Sequence, residues 1–575
     1  MEPLNAIYTE KRECQDCHKC IRECPVKAIK VQDGCTRVVS ELCIMCGNCV
    51  LACPSDAKRV RDDLPAAKAL LASGKKTIAS LAPSFAAQFP GVRPPQLIHA
   101  LKQLGFHAVS ETALGAQQVS AHVASLMNSE PANVWISSAC PVVVDYVRKY
   151  RPDCQPRLSS LFSPMLTHCR LLRNHYGDDI GIVFLGPCVA KKREAEDHPE
   201  LLDVVLTFED LDRWLVEAGI RLDEVVESEA DRFEPEAARE GSLYPIEGGM
   251  MPAVSGLSGK QDSRYMSFSG MSNVGQALQG LTEWRPEHNI FLELTACAGS
   301  CVNGPKAARN SSIARRRYEI VRYAKPGDGP PRAASVAISR QYPPQPVQRN
   351  GHTESQVREA LRTVAKYSPD DELNCGGCGY DSCRDFAHAM IAHNAEKMMC
   401  ASYTRKLAQK KANALIRKIP SAVVIVDEHV KVIECNDNFV QLARVDGMAD
   451  LQTTPKSLEG TSLDEIVPFA YLFRRVLESG EDIVGHDIRF QRSILNTSIF
   501  TIEPNAVIGG ILQDITAPAF QKEQIIGRAR DVIQRNLKTV QQIAYLLGEN
   551  AAESEIILNS IVRSFSPEEL EGPGD

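Results

Sequence analysis

The stretch E-L-T-A-C-A-G-S-C-V-N-G, residues 293–304, carries Cys297 and Cys301 directly after the apolar run Ile290-Phe-Leu-Glu-Leu294. Such a run reads as a buried strand, and the glycine-bearing loop after it emerges where open α/β sheets place their chemistry. Two other pieces repeat the arrangement. S-S-A-C-P at 137–141 follows Val134-Trp-Ile136, and G-P-C-V-A-K-K-R-E at 186–194 follows Ile182-Val-Phe-Leu185. Cys140, Cys188, Cys297 and Cys301 are thus each expected just past a strand end. Four thiolates converging from three loops can hold one iron–sulfur cube.

Around these pieces, residues 75–325 alternate strand-like runs such as Lys76–Leu81 with amphipathic segments at 95–104, 142–149 and 164–175. That alternation predicts α/β layering. The chain has 575 residues and 44% apolar composition, enough for several domains each with its own core. A net charge of −7 with no basic block argues against nucleic acid as a partner. The residues after Met1 show no basic-then-apolar leader. No uncharged run approaches the roughly 18–20 residues needed to cross a bilayer. The expectation is a cytoplasmic protein with no membrane partner. Most of the 20 cysteines fall in tight C-x2-C clusters, which read as metal ligands rather than as a disulfide framework.

Residues 1–62 contain Cys14-x2-Cys17-x2-Cys20-x3-Cys24-Pro25 and then Cys43-x2-Cys46-x2-Cys49-x3-Cys53-Pro54. This is the two-cluster ferredoxin spacing written twice, in which the fourth cysteine of each run crosses to the other cluster. Cys14, Cys17, Cys20 and Cys53 are therefore assigned to one [4Fe–4S] cluster, and Cys43, Cys46, Cys49 and Cys24 to its neighbour. A second, smaller module has Cys375-x2-Cys378-x4-Cys383-x16-Cys400. It resembles the [4Fe–4S] modules of corrinoid iron–sulfur and membrane electron-transfer proteins, with Cys383 and Cys400 expected at the ends of a helical segment over 386–399. Zinc is the alternative for both modules. Cys35, Cys154, Cys169 and Cys435 fall outside these patterns and read as buried structural residues.

The three cysteine pieces resemble the signature segments of [FeFe]-hydrogenases. Ala82-Pro-Ser84, Phe162-Ser-Pro164 and Gly248-Gly-Met-Met251 resemble lesser segments of that family, in the right order. The resemblance covers roughly 1–325. It implies that Cys301 also bridges to a diiron site with CO and CN⁻ ligands, where H2 is split or made. It implies further that Lys191 donates to a cyanide ligand and that Glu194 anchors that lysine. Ser84, Ala139 and Gly186 are expected to line the diiron pocket. Two departures matter. Catalytic members usually carry a proton-shuttling cysteine where this chain has Ala139, and a methyl group relays no proton. They also carry methionine where this chain has Gly186, which leaves room for water or another side chain.

Beyond a proline-rich linker or strap at 326–350, Ile419–Asp427 and Val430–Asn436 read as two strands, followed by an Asn-led helix. With Gly509-Gly-Ile-Leu-Gln-Asp-Ile-Thr516 they resemble a PAS domain. Ile526, Ile533, Val540 and Leu547, with Ala529, Asn536 and Ile543 between them, form a short heptad seam. The seam predicts either pairing of two copies or packing back on the sheet. A second helix is expected at 553–564.

The expected fold is a multidomain α/β protein. Its parts are a two-cluster ferredoxin domain (1–62), a two-lobed α/β hydrogenase H-cluster domain (63–328), a linker (329–355) and a small [4Fe–4S] domain (356–412). An α+β PAS domain (413–519) and a C-terminal helical signalling or dimerisation segment (520–575) complete it. The expected function is slow H2 oxidation or proton reduction at a diiron site, whose state passes through four [4Fe–4S] clusters to a PAS output. Expected partners are H2 and protons, a redox partner such as ferredoxin, a signalling kinase or phosphatase, and a second copy. The alternatives are a catalytic hydrogenase subunit of a larger electron-transfer complex and an iron–sulfur protein without the diiron site.

Overall fold

The apolar runs of the cysteine pieces form strands at the expected places in the computed structural model. It describes residues 5–128, 131–255, 264–309, 311–324, 334–347, 351–443, 454–491 and 493–547. The chain divides into two compact units, Met1–Tyr403 and Thr404–Asp575. In the first, β1 (Ile7–Thr9) pairs antiparallel with β4 (Lys58–Val60), and β2 (Ile29–Gln32) pairs with β3 (Cys35–Val38). These two hairpin-like pairs frame the ferredoxin-like region.

Next come β5 (Lys76–Leu81), β6 (Ala108–Glu111), β7 (Val134–Ile136), β8 (Ile180–Gly186), β9 (Val204–Thr207), β10 (Tyr265–Ser269) and β11 (Ile290–Thr295). They make two parallel sheets, ordered β6-β5-β8-β9 and β10-β11-β7. Every residue of β8 and β11 is buried, as expected for parallel strands covered on both faces. The cysteine strands are thereby split, β8 to one sheet and the adjacent β7 and β11 to the other. This gives the two lobes, and the cysteine loops meet between them.

Helices 113–127 and 164–176 cross at Gly115, where a Cβ would lie 2.2 Å from Pro164 O and 2.6 Å from His168 N. Only glycine allows that approach. His168 bridges Ser80 Oγ at 2.8 Å and Ser110 Oγ at 2.9 Å, joining β5 to β6 beneath the helix. Complete burial holds its pKa down to about 3, so this imidazole is neutral.

Of the two readings of 326–350, the strap accounts for the described residues 334–347. Phe162 N donates to Ile338 O at 2.8 Å, and Tyr342 Oη to Leu161 O at 2.7 Å. Ile338 enters the core of the four-stranded sheet while Tyr342 enters that of the three-stranded one. The small module corrects one expectation. No continuous helix runs over 386–399: the helix is Cys383–Ile391, and His393 then adopts a positive φ of 56°. A 3-10 turn at Lys397–Met399 follows, because a cube-sized ligand set needs the chain to turn back. Cys400 directly precedes the helix Ala401–Lys418.

In the second unit β12 (Ala422–Val426), β13 (Val432–Cys435), β14 (Ile483–Phe490), β15 (Ser493–Glu503) and β16 (Val507–Asp514) form one antiparallel sheet, ordered β13-β12-β16-β15-β14. The buried Asn436 opens the next helix as expected. Its Oδ1 accepts from Phe439 N at 2.9 Å, and its Nδ2 donates to Ile416 O and Ser421 O. Thr516–Leu547 is a single helix. The side chains of Val540, Ile543 and Leu547, and the helix expected at 553–564, lie outside the described residues. Among the described residues no helix is long and apolar enough to cross a membrane.

Candidate metal centre

The loops after β7, β8 and β11 surround a cavity of about 120 Å³. Since about 10–15 Å³ on this measure admits one water, it is far larger than a packing defect. Cys140, Cys188, Cys297 and Cys301 line it, together with Ser84, Ala139 and Lys191. Gly299 and Ser300, both at positive φ, turn the chain sharply between its two cysteines. Thr295 Oγ1 and Ser300 Oγ, 2.9 Å apart, fix that turn, and Gly299 N donates to Ser269 Oγ at 3.0 Å. Gly304 lies so close to Pro187 that a Cβ would be 2.9 Å from its ring, which locks the loops after β8 and β11 together.

Burial pushes the Cys188 thiol up to about 11, with the charge of Cys140 adding to the effect. Burial and the neighbouring thiols push Cys297 and Cys301 higher still. The suppressed ionisation of Cys188, Cys297 and Cys301 fits a cationic iron cluster, which supplies the compensating charge. The other cysteine sets are gathered around small spaces too. Cys14, Cys17, Cys20 and Cys53 line one small cavity, and Cys375, Cys378, Cys383 and Cys400 another. Cys24 stands among Cys43, Cys46 and Cys49, whose thiols are raised by burial and then by its charge and one another's. The chain thus brings Cys53 to the three cysteines of the first run and Cys24 to those of the second.

The central set is wired to the ferredoxin-like region. Lys149 Nζ and Arg193 Nη1 donate to Cys43 O at 2.8 and 3.2 Å, and Cys46 borders the same cavity as Cys297. Gly47, at φ 77°, faces Pro305 so closely that a Cβ would lie 2.6 Å from the ring.

Lys191 and Glu194 form the polar anchor. Lys191 Nζ donates to Glu194 Oε2 at 2.6 Å and to Ser163 Oγ at 3.0 Å, in a helix buried at both residues. Burial opposes the charge of Lys191, but Glu194 first, and Cys188 beside it, outweigh it and hold the ammonium above the usual lysine range. The run Lys191-Lys192-Arg193 is no solvated patch. Lys192 is fully buried and donates to Asp63 at 2.8 Å and Val205 O at 3.0 Å.

Gly186 does not itself line the cavity. The space beside it is taken by the Phe184 ring, 2.7 Å from where a Cβ would stand. Gly186→Met is therefore expected to lower stability by about 1–3 kcal/mol through overpacking. Adding Phe184→Ala is expected to recover most of that loss in unfolding curves of the cluster-loaded protein.

One residue escaped the sequence reading. Glu293, on β11, is 2% exposed and is the one carboxyl among the described lining residues. Its Oε2 accepts from Met250 N at 3.3 Å while its Oε1 has no hydrogen-bond partner. Burial, and then the charge of Glu247, push its pKa up to about 8, so it is protonated at neutral pH. Glu247 is half-buried and accepts from Ser269 Oγ at 2.8 Å. The available signal was a lone acidic residue inside an otherwise apolar strand.

Residues 75–305 match the family described as iron only hydrogenase large subunit, C-terminal domain. Residues 6–54 match a 4Fe-4S dicluster domain, and 371–402 an Fe-S cluster family. Iron hydrogenase 1 of Clostridium pasteurianum is 27% identical over 294 residues, 41% of this chain and 50% of that protein. The match spans about half the length of that relative. A solved [FeFe]-hydrogenase of Chlamydomonas reinhardtii aligns at 18% identity and a TM-score of 0.39, over 50% of this chain and 100% of that one. The photoactive yellow protein domain of a sensor histidine kinase from Rhodospirillum centenum aligns at 14% identity and a TM-score of 0.15, over 17% of this chain and 90% of that one. The three family matches together enclose the cysteine sets described above: an iron only hydrogenase large-subunit domain at 75–305, with a 4Fe-4S dicluster domain before it and an Fe-S cluster match after it.

Proposed function

We propose that this protein binds H2 at a diiron group held at Cys301 and turns it over slowly. Its redox or H2-bound state is then reported through the iron–sulfur sites to a PAS-type sensor unit, in the cytoplasm. The observation that carries this reading is the composition of the cavity. It has four cysteines for a cube, an ammonium held ready by Glu194, and a methyl group at Ala139 where a fast enzyme needs a proton donor. When bound, a diiron group with CO and CN⁻ ligands supplies heterolytic H2 chemistry. Lys191 then offers a charge-assisted donor to an anionic ligand, and the apolar walls of Pro164, Met165 and Phe184 exclude bulk water.

The five-stranded antiparallel sheet and the exit at Asp514–Thr516 support the PAS reading. From there the helix Thr516–Leu547 carries the signal. Ile525 and Val532 are exposed on it, beside the seam of Ile526, Ala529, Ile533 and Asn536. Two copies pairing along that seam would cover these residues, with Asn536 fixing the register. A kinase, phosphatase or transcription-control protein reads the output, and ferredoxin or a similar protein exchanges electrons.

Glu293 favours a second reading, a catalytic subunit of an electron-transfer complex, because it supplies the proton donor that Ala139 lacks. Infrared spectroscopy of anaerobically matured protein tests the diiron assignment. CO and CN⁻ stretches that shift on adding H2 are expected, and their absence would overturn it. A turnover rate matching that of fast hydrogenases would decide for the second reading.

A further inference from the structure

The four-cysteine module at 375–400 is packed against the ferredoxin-like region. Gly379, at φ 92°, faces Ile21 and Arg22, where a Cβ would lie 3.0 Å from the Ile21 side chain and 3.3 Å from Arg22 N. Val31 N donates to Asn394 O at 3.1 Å, and Lys27 Nζ stands 3.6 Å from Asp381. Ile21, Cys24 and Ile29 share one core with Tyr380, Phe386 and Cys400.

Tyr380 occupies this junction. It is 4% exposed, lines the cavity between the module's cysteines, and has Cys378 and Cys24 as electrostatic neighbours. Its hydroxyl has no hydrogen-bond partner. A buried O–H without an acceptor is costly, and the acceptor that a four-thiolate site brings is sulfur. Cys24 belongs with Cys43, Cys46 and Cys49, the set whose Cys46 borders the central cavity. That set therefore has the central site on one side and the module on another.

We propose that the module is docked to exchange electrons with the Cys24, Cys43, Cys46 and Cys49 site, with the Tyr380 hydroxyl donating to cluster sulfur at the junction. In the exchange one electron leaves a [4Fe–4S] cluster at one site and reduces the cluster at the other. No bond is made or broken, and no proton moves. The receiving end is ligated by Cys400, the residue before the helix Ala401–Lys418, so the electron arrives at the root of that helix. The inference rests on reading both cysteine sets as [4Fe–4S] sites and needs no diiron group.

The test is a mediator titration of the full-length, cluster-loaded protein, without H2, followed by electron paramagnetic resonance. The signal of the module's cluster is expected to split or broaden once the Cys24-containing site is reduced too. Tyr380→Phe is expected to shift the midpoint potential of one of these two clusters to lower values and to leave the Cys14, Cys17, Cys20 and Cys53 site unmoved. A module signal indifferent to its neighbour's redox state would overturn the proposal. So would unmoved potentials in Tyr380→Phe, or a shift common to all sites. Since neither H2 nor the diiron group enters, failure here is distinct from failure of the infrared test.

Discussion

On the catalytic-subunit reading, Glu293→Gln is expected to lower H2 evolution by the matured protein by ~10²-fold or more, the lower end of what a positioned proton donor contributes. The CO and CN⁻ infrared bands are expected to stay as in the parent chain. Glutamine keeps the shape and the acceptor for Met250 N but carries no transferable proton. The pH dependence gives a second reading of the same group. The parent carboxyl is protonated below about 8 and loses its proton as pH rises through that value. Evolution, which needs the acid, is then expected to fall on the alkaline side of 8, whereas oxidation, which needs the base, gains there. In Glu293→Gln both limbs disappear. An unchanged rate and an unchanged profile would mean that protons enter elsewhere. Ala139→Cys in the Glu293→Gln background is expected to restore part of the rate, since a thiol at 139 also borders the cavity.

The second large effect concerns the anchor. Lys191→Met leaves the buried Glu194 carboxylate without its cation, and breaking a buried pair in this way costs about 3–5 kcal/mol. Removing both charges in Lys191→Met with Glu194→Gln is expected to recover most of that stability, because no unpaired charge remains. Retention of the diiron group should not recover, since the donor to its anionic ligand is still missing. Denaturation midpoints and infrared band intensities, measured on the same samples, separate the two roles. If the double variant regained both, Lys191 would serve packing alone.

The strands before each cysteine loop were legible because runs of three to five residues, apolar but for Glu293, leave few other options in a buried parallel sheet. The cysteine spacings were legible because cluster ligation fixes local geometry. Partners contributed from a distance were not. Nothing near Lys192 says that its ammonium ends on Asp63, 129 residues away, or that Lys149 and Arg193 both reach Cys43 O. Charge runs look alike in sequence whether water or a buried carboxylate receives them. Glu293 was hidden for a related reason. A single acid in an apolar strand gains its meaning from the cavity, and the cavity forms only when β7, β8 and β11 come together from two sheets. The 386–399 helix failed because its apolar pattern continues past Ile391, while the cysteines on either side require the chain to turn.

Gly47 has one more implication. Its bare backbone rests on Pro305, four residues beyond Cys301, and any side chain there would drive the two loops apart. Electron tunnelling weakens exponentially with separation, so the missing methyl at position 47 acts as a calibrated spacer. A substitution at Gly47, which is itself no ligand, would slow communication between the Cys46 and Cys297 sites without replacing a single cysteine.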